Sequence, residues 1–150
     1  MPTHFKGSAE ETAALDAYIK LMRASDSVTS HVHEILPENL TVTQFAVLET
    51  LHHLGPLCQK QLATKLLKST GNLTLVIANL EKAGFVKRER QAEDLRYITV
   101  SLAPRGRALI SKLFPQVAER IAKEFSVLSR AEKDELCRLT KKLGLQQVPS

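Results

Sequence analysis

The chain has 150 residues, of which 43% are hydrophobic and 25% charged, and its formal net charge is +5 at pH 7. This composition is typical of a folded protein and excludes a disordered one. No apolar run approaches the roughly 20 residues that span a bilayer, and the N-terminal residues lack the apolar segment of a secretory signal, so we expect a cytoplasmic protein. Two cysteines, Cys58 and Cys137, are too few for a disulfide scaffold and favour a reducing compartment.

The excess positive charge lies in one segment of the chain. Residues 56–107 contain ten basic and four acidic residues, a net charge of +6, whereas the remainder contains eleven basic and twelve acidic residues. A basic segment between nearly neutral ends indicates a surface that binds phosphate groups. On charge alone, an ordinary solvated surface explains the pattern about equally well.

The first predicted helix covers about residues 8–36. Ser8 and Glu11 have the spacing of a capping box, an apolar stripe at helical period follows them, and Pro37 ends the helix. Its length is well above the average for helices, which indicates that it packs against more than its own domain.

Three shorter helices are predicted between residues 41 and 84. They begin at the capping box of Thr41 and Gln44, near Gln59 and at the cap Ser69, and they end at Gly55, Leu67 and Gly84. The last two are short, lie three or four residues apart, and the second has a polar outer face. This pattern predicts a helix-turn-helix.

The hydrophobic period then changes from that of a helix to that of a strand. Residues 85–90 and 97–102 are predicted strands, and Ile98, Val100 and Leu102 face inward in the second. The polar segment between them predicts a hairpin with a projecting loop. A helix-turn-helix followed by such a hairpin is a winged helix.

A second long helical region follows the hairpin. Pro104 is predicted at its first position, and Pro115 is expected to kink or split it. Ser129 and Glu132 form a third capping box, and Gly144 is the predicted stop. Since no linker or repeat interrupts the sequence, we predict one mainly α domain with a minor β component.

Several motifs together resemble the MarR family of bacterial transcriptional regulators, and the resemblance covers about residues 14–144. Each motif alone is weak, whereas the fixed spacing of all three is specific. The motifs are Leu80-Glu81-Lys82-Ala83-Gly84-Phe85-Val86, Asp94-Leu95-Arg96 and Arg105-Gly106-Arg107.

The resemblance implies a single MarR-type domain over residues 1–150, with a winged helix-turn-helix at about 41–103. It implies that the long helices at about 8–36 and 104–144 form the dimerisation region of a homodimer. It also implies repression or activation of transcription that a small molecule relieves, and we expect a DNA-binding repressor that a small aromatic or phenolic effector releases. Tyr18, Met22 and Phe45 are near such a site, without being assigned to it.

The second helix of the helix-turn-helix is the expected recognition helix. Its exposed face has no Lys or Arg before Lys82, whereas the family commonly has a basic residue where this chain has Leu75. Asn pairs with adenine and Leu contacts the thymine methyl group, so we predict an A·T-rich half-site. The candidate base-contacting residues are Thr70, Gly71, Asn72, Thr74, Leu75 and Asn79.

The wing carries a further candidate for DNA contact. Arg96 at its tip suits insertion into a narrow minor groove, and Asp94 is positioned to orient it through a bidentate hydrogen bond. Without DNA, the two residues are an ordinary surface ion pair. The predicted phosphate contacts are Lys65, Lys68, Lys87, Arg88 and Arg90, and two-fold symmetry predicts a pseudo-palindromic operator.

Other functions receive less support from the sequence. No motif for an enzyme, a cofactor or a metal is present, although His31 and His33, or His52 and His53, could bind a metal together with Glu34 or Glu49. The first helix lacks the cysteine of the redox-sensing MarR branch. Cys58 near a helix start is interpreted as a cap residue, and Cys137 as a packing residue. The main alternative is a winged-helix module that binds proteins.

Overall fold

The computed structural model describes residues 4–66, 68–94 and 96–145, and for Thr70 it describes the backbone alone. Leu67, Leu95, the segment after residue 145 and the Thr70 side chain, on which some predictions fall, lie outside the described residues. The helices are α1 (Ala9–His33), α2 (Val42–Leu54), α3 (Gln59–Leu66), α4 (Thr70–Lys82), α5 (Pro104–Glu124) and α6 (Arg130–Leu145). A 3-10 turn, Phe125–Val127, separates the last two.

Three antiparallel strands form a small sheet. They are β1 (Leu57–Cys58), β2 (Val86–Arg90) and β3 (Ile98–Leu102), in the order β1-β3-β2. The hairpin register pairs Arg88 with Val100, and β1 pairs Leu57 with the same residue. The mainly α winged helix-turn-helix fold predicted from the sequence is confirmed.

Local side-chain caps set most helix starts where the sequence predicts them. In each of the three capping boxes, Ser8–Glu11, Thr41–Gln44 and Ser129–Glu132, both reciprocal hydrogen bonds are present at 2.8–3.1 Å. The Ser69 hydroxyl accepts the amide of Asn72 at 3.2 Å and thereby caps α4. These contacts satisfy backbone donors that the first turn of a helix leaves free.

The contacts of the described residues group into two compact units. The winged-helix unit comprises residues 35–117, and the terminal unit comprises the described parts of 1–34 and 118–150. The core of the winged-helix unit includes side chains without any solvent exposure: Val47, Leu48, Leu62, Leu73, Ile77, Leu80, Val100 and Ile110. Each of the three helices α2, α3 and α4 contributes to this core, which fixes the orientation of α4.

The terminal unit buries little of its apolar surface. Val32 is the one buried residue in α1, and α6 buries none. Exposed apolar side chains lie along both helices: Tyr18, Met22, Leu139 and Leu143. The end of α1 contacts the end of α5 through an ion pair between Glu34 and Arg120 at 2.7 Å and a hydrogen bond between Nδ1 of His31 and Glu124 at 3.1 Å.

The structure excludes a split at Pro115 and adds one strand. The helix continues through Pro115, because α5 runs from Pro104 to Glu124, and the buried side chains of Leu113 and Val117 on either side offset the missing hydrogen bond. The break comes at the 3-10 turn, just before the capping box predicted at Ser129. The two-residue strand β1 was missed because it is too short to show an alternating pattern.

Candidate nucleic-acid interface

The helix-turn-helix presents one side of α4 to solvent. Leu73, Ile77 and Leu80 are buried in the core, whereas residues on the opposite side are exposed, and Leu75 has 64% of its surface accessible. The exposed predicted base-contacting residues on this side are Gly71, Asn72, Leu75 and Asn79. A helix can enter the major groove only with such a free, protruding face.

Thr74 is also exposed, but its hydroxyl group is already engaged. It accepts a hydrogen bond of 3.1 Å from Nε2 of Gln59, the first residue of α3. Gln59 is 8% exposed, and its Oε1 atom has no hydrogen-bond partner among the described residues. Sequence reasoning missed Gln59, since a polar residue at a helix start gives no sign that it is buried.

The end of α4 leads directly into the wing. Gly84 has φ +83°, its amide bonds the Glu81 carbonyl, and the amide of Phe85 bonds the Leu80 carbonyl, each at 2.9 Å. This is a Schellman motif, in which glycine adopts the left-handed conformation at low cost. The predicted glycine stop is confirmed, and it fixes where β2 begins relative to α4.

The Arg-Gly-Arg motif, Arg105-Gly106-Arg107, lies at this junction. Arg105 donates from Nη1 to the Ala83 carbonyl at 2.8 Å, and its guanidinium lies 4.8 Å from the centre of the Phe85 ring. A Cβ atom on Gly106 would lie 2.0 Å from the Phe85 carbonyl oxygen. The motif therefore holds the start of α5 against the end of α4, a role that the sequence did not reveal.

The tip of the wing holds Arg96 in a defined orientation. Nε and Nη2 of Arg96 donate to the two oxygens of Asp94 at 3.0 and 2.8 Å, and the Arg96 amide donates to Oδ1 at 3.0 Å. The predicted bidentate contact is present. The Arg96 hydrogen bonds hold the pKa of Asp94 below its ordinary value, and the Arg96 side chain is 87% exposed.

A second ion pair lies at the base of the wing. Arg88 on β2 donates to Glu81 on α4 from Nε at 3.2 Å, from Nη2 at 2.9 Å and from its backbone amide at 3.1 Å. The hydrogen bond from the Arg88 side chain lowers the pKa of the Glu81 carboxyl. The guanidinium predicted to contact phosphate is thus engaged within the protein.

The other predicted phosphate contacts are exposed. Lys65 lies in the last turn of α3, Lys68 lies between α3 and α4, and Arg90 ends β2. Lys87 is 3.7 Å from Glu89 on the same strand. These cations flank α4 in the chain or lie on β2, and the exposed face of the recognition helix itself has none before Lys82 in its last turn.

The remaining candidate residues are histidines and cysteines. His52 and His53 lie beside the Phe114 ring, with His53 at 4.5 Å, and the described residues include no group of three potential metal ligands. Cys58 immediately precedes α3, and its amide donates to Gln61, whereas Cys137 is exposed on α6. Among the described residues, no helix combines the length and apolar character that a membrane crossing needs.

The fold and this surface define a winged helix-turn-helix protein, and similarity to known proteins specifies the family. A family model described as MarR matches residues 40–98. YkoM of Bacillus subtilis (strain 168), a helix-turn-helix-type transcriptional regulator, is 38% identical over 137 residues, covering 91% of this chain and 89% of YkoM. The chain therefore belongs to the MarR family of transcriptional regulators, as its motifs predict.

Two solved structures have similar folds. One is a structure of Bordetella bronchiseptica BpsR that concerns the regulation of its DNA binding by 6-hydroxynicotinic acid. It is 26% identical to this chain with a TM-score of 0.77, and the similarity covers 86% of this chain and 98% of the BpsR chain. The other, with 26% identity and a TM-score of 0.75, is NadR in complex with 4-hydroxyphenylacetate, and it covers 87% of this chain and 96% of NadR.

Proposed function

We propose that the chain represses transcription in the cytoplasm by binding an operator as a homodimer, and that a small aromatic or phenolic effector releases it. It acts by binding and has no enzymatic role. The observation that carries this function is the pairing of an exposed, protruding α4 face with an oriented Arg96 in a segment of charge +6. The two features suit simultaneous contact with a major groove and a minor groove.

The α4 face reads bases in the major groove. Asn72 and Asn79 pair with adenine edges, and the exposed Leu75 contacts a thymine methyl group. Thr70, Gly71 and Thr74 complete the contact surface, with Thr74 oriented by Gln59. Because this face has no cation before Lys82 in its last turn to bind guanine, the preferred half-site is rich in A·T pairs.

Arg96 inserts into the adjacent minor groove. A·T-rich DNA narrows this groove and strengthens its negative potential, which favours a guanidinium. Asp94 holds Arg96 in place before DNA arrives, so less conformational freedom is lost on binding. The base preference of α4 and the groove preference of the wing therefore agree.

The cations around this surface give affinity and register. Lys65, Lys68, Lys87 and Arg90 contact phosphates, which carry no sequence information. If a dimer neutralises about 6–10 phosphates, its affinity falls roughly 10³–10⁵-fold between about 50 and 200 mM salt.

The homodimer forms through the terminal unit. Tyr18, Met22, Leu139 and Leu143 are exposed apolar side chains on two helices that have almost no buried residues of their own. A second copy covers such surfaces by two-fold symmetry. Symmetry also places two half-sites about 10 bp apart in a pseudo-palindromic operator.

An effector of the hydroxylated aromatic acid type is supported by BpsR and NadR, whose structures concern 6-hydroxynicotinic acid and 4-hydroxyphenylacetate. Such a ligand releases DNA only if it binds more tightly to a conformation that fits DNA poorly. Titrating hydroxylated aromatic acids into the protein–DNA complex tests this part of the function.

DNA binding itself is tested with an Arg96→Ala variant and a matched control. Arg130 is the control, because it is equally exposed and paired with Asp134 at 3.2 Å, but lies on α6 outside the basic segment. We expect R96A to weaken binding to the upstream region of its own gene at least about tenfold, whereas R130A binds like wild type. Equal binding by all three proteins would refute the role of the wing, and no sequence-specific binding would favour a protein-interaction module.

A further inference from the structure

The contact between Glu81 and Arg88 joins the recognition helix to the wing. Glu81 lies in the last turn of α4, and Arg88 is the third residue of β2. Three hydrogen bonds of 2.9–3.2 Å use both carboxylate oxygens, and the two side chains are only 37% and 29% exposed. We call this contact the Glu81–Arg88 clamp.

The clamp differs from an ordinary surface ion pair in its backbone contact. β2 is an edge strand, since β3 lies between it and β1. The Arg88 amide therefore points away from the sheet, and the Glu81 carboxylate accepts it. The same carboxylate holds the guanidinium, so it fixes both the strand and the side chain of Arg88 relative to α4.

A continuous path of backbone pairing leads from the clamp to the tip of the wing. Arg88 pairs with Val100 and Arg90 with Ile98, and the Gln91 amide then donates to the Tyr97 carbonyl at 3.0 Å. Arg96 lies in the loop closed by this last bond. A change in the angle between β2 and α4 would consequently move Arg96 relative to the exposed face of α4.

We propose, building on the DNA binding proposed above, that Glu81 and Arg88 are positioning residues that set the angle of the wing. They hold Arg96 at the distance from α4 that lets both grooves be contacted at once. Arg88 then acts through Arg96 and not as a phosphate contact. Fixing the wing before binding reduces the conformational freedom lost on DNA.

Two substitutions separate this role from a phosphate contact. Removing the acidic charge with Glu81→Gln frees Arg88, so a phosphate contact would be kept or strengthened, whereas loss of positioning weakens binding. Arg88→Lys keeps the charge but cannot donate the two side-chain hydrogen bonds from Nε and Nη2 to Glu81. A phosphate contact would tolerate this change, whereas the Glu81–Arg88 clamp would not. We expect both variants to weaken binding about 5–30-fold, the cost of ordering a wing that is no longer fixed.

Glu89→Gln is the matched control. It removes the same charge beside Arg88 on β2, but Glu89 is exposed and 3.7 Å from Lys87. We expect E89Q to bind as tightly as wild type or slightly more tightly. The probe is a synthetic duplex that the wild-type protein selects from a random pool, measured by fluorescence anisotropy at several salt concentrations.

A double-mutant cycle between Glu81→Gln and Arg96→Ala shows whether the clamp acts through Arg96. We expect E81Q to cost little once Arg96 is absent, because the two losses then share one cause. Fully additive losses would overturn the positioning role. A second result would also overturn the positioning role: R88K binds as tightly as wild type, and Arg88→Ala reduces the slope of log affinity against log salt concentration by about 2. Such a reduction means that the dimer has lost two phosphate contacts.

Thermal unfolding of every variant shows whether a loss of binding reflects a loss of folding. If E81Q is unfolded at the assay temperature, R88K provides the deciding measurement. If wild type binds specific DNA but E81Q and R88K bind equally well, the positioning role is wrong and the proposed function stands. If wild type itself selects no sequence, the proposed function is wrong.

Discussion

Replacing Gly106 with alanine tests why α5 begins where it does. The added Cβ atom would lie 2.0 Å from the Phe85 carbonyl oxygen and 2.9 Å from the carbonyl carbon. Carbon–oxygen contacts normally exceed about 3.3 Å, so the start of α5 must move away by about 1.3 Å. The obstacle is backbone and not the end of a flexible side chain, which leaves few ways to relieve the overlap.

The cost follows from what this movement breaks. The Ala103 amide donates to the same Phe85 carbonyl at 3.0 Å, and losing such a bond costs about 1 kcal/mol. Overpacking a rigid site adds about 1–3 kcal/mol, and the better helix propensity of alanine returns up to about 1 kcal/mol. The net loss is about 2 kcal/mol, or about 4–8 °C in the melting temperature of a chain of this size.

Thermal unfolding by circular dichroism, at a fixed protein concentration, measures this loss. Gly144→Ala is the control, because a Cβ atom on Gly144 in α6 would have no neighbour within 4 Å. We expect G144A to melt at or slightly above the wild-type temperature. A G106A protein that melts like G144A would refute the close approach of α5 to the Phe85 carbonyl.

Three further predictions concern DNA, association and pH. A Cβ atom added to Gly71 would have no neighbour within 4 Å, so Gly71→Ala should keep the melting temperature of the wild type. It should weaken DNA binding, because α4 is proposed to approach the DNA closely at this residue. Unchanged affinity in an anisotropy titration would argue against that close approach. Leu139→Glu should convert the proposed dimer to a monomer in a sedimentation velocity experiment. Val42→Glu is the control, because Val42 is an exposed residue of the winged-helix unit, and it should leave the dimer intact. A dimeric L139E protein would contradict the proposed interface. Hydrogen bonds lower the pKa values of four carboxyl groups, those of Glu11, Glu81, Asp94 and Glu132. Such groups stabilise the fold fully at pH values above their ordinary pKa of about 4. This stabilisation is lost as the pH falls through their lowered pKa values in the folded protein. Helix content in a circular dichroism titration should thus stay constant from about pH 8 to 5 and fall only below about pH 4, and a loss beginning above pH 5 would require other titrating groups.

Local chemistry explains why much of the fold is readable from the sequence. A capping box needs two side chains three residues apart, and the Gly84 stop needs one glycine at a helix end, so neighbouring residues suffice to recognise both. The hairpin is equally local, since β3 alternates apolar and polar residues and follows β2 directly in the chain. The motif from Leu80 to Val86 carries this information in consecutive residues.

Contacts between distant residues were not readable in this way. The clamp joins residues seven apart across a turn, and nothing in the composition distinguishes Arg88 from the other cations of β2, Lys87 and Arg90. The burial of Gln59 was not predicted for the same reason, because it depends on the packing of α3 against α4. Pro115 shows the opposite case, in which tertiary packing outweighs a strong local preference.

The most direct test of the central claim is selection of bound duplexes from a random DNA pool by the purified wild-type protein. Our account predicts enrichment of a pseudo-palindrome with two A·T-rich half-sites about 10 bp apart and little preference for guanine. Enrichment of guanine-rich half-sites would contradict the reading of bases by the α4 face, which has no cation before Lys82. A pool that remains random after repeated selection would contradict sequence-specific binding altogether.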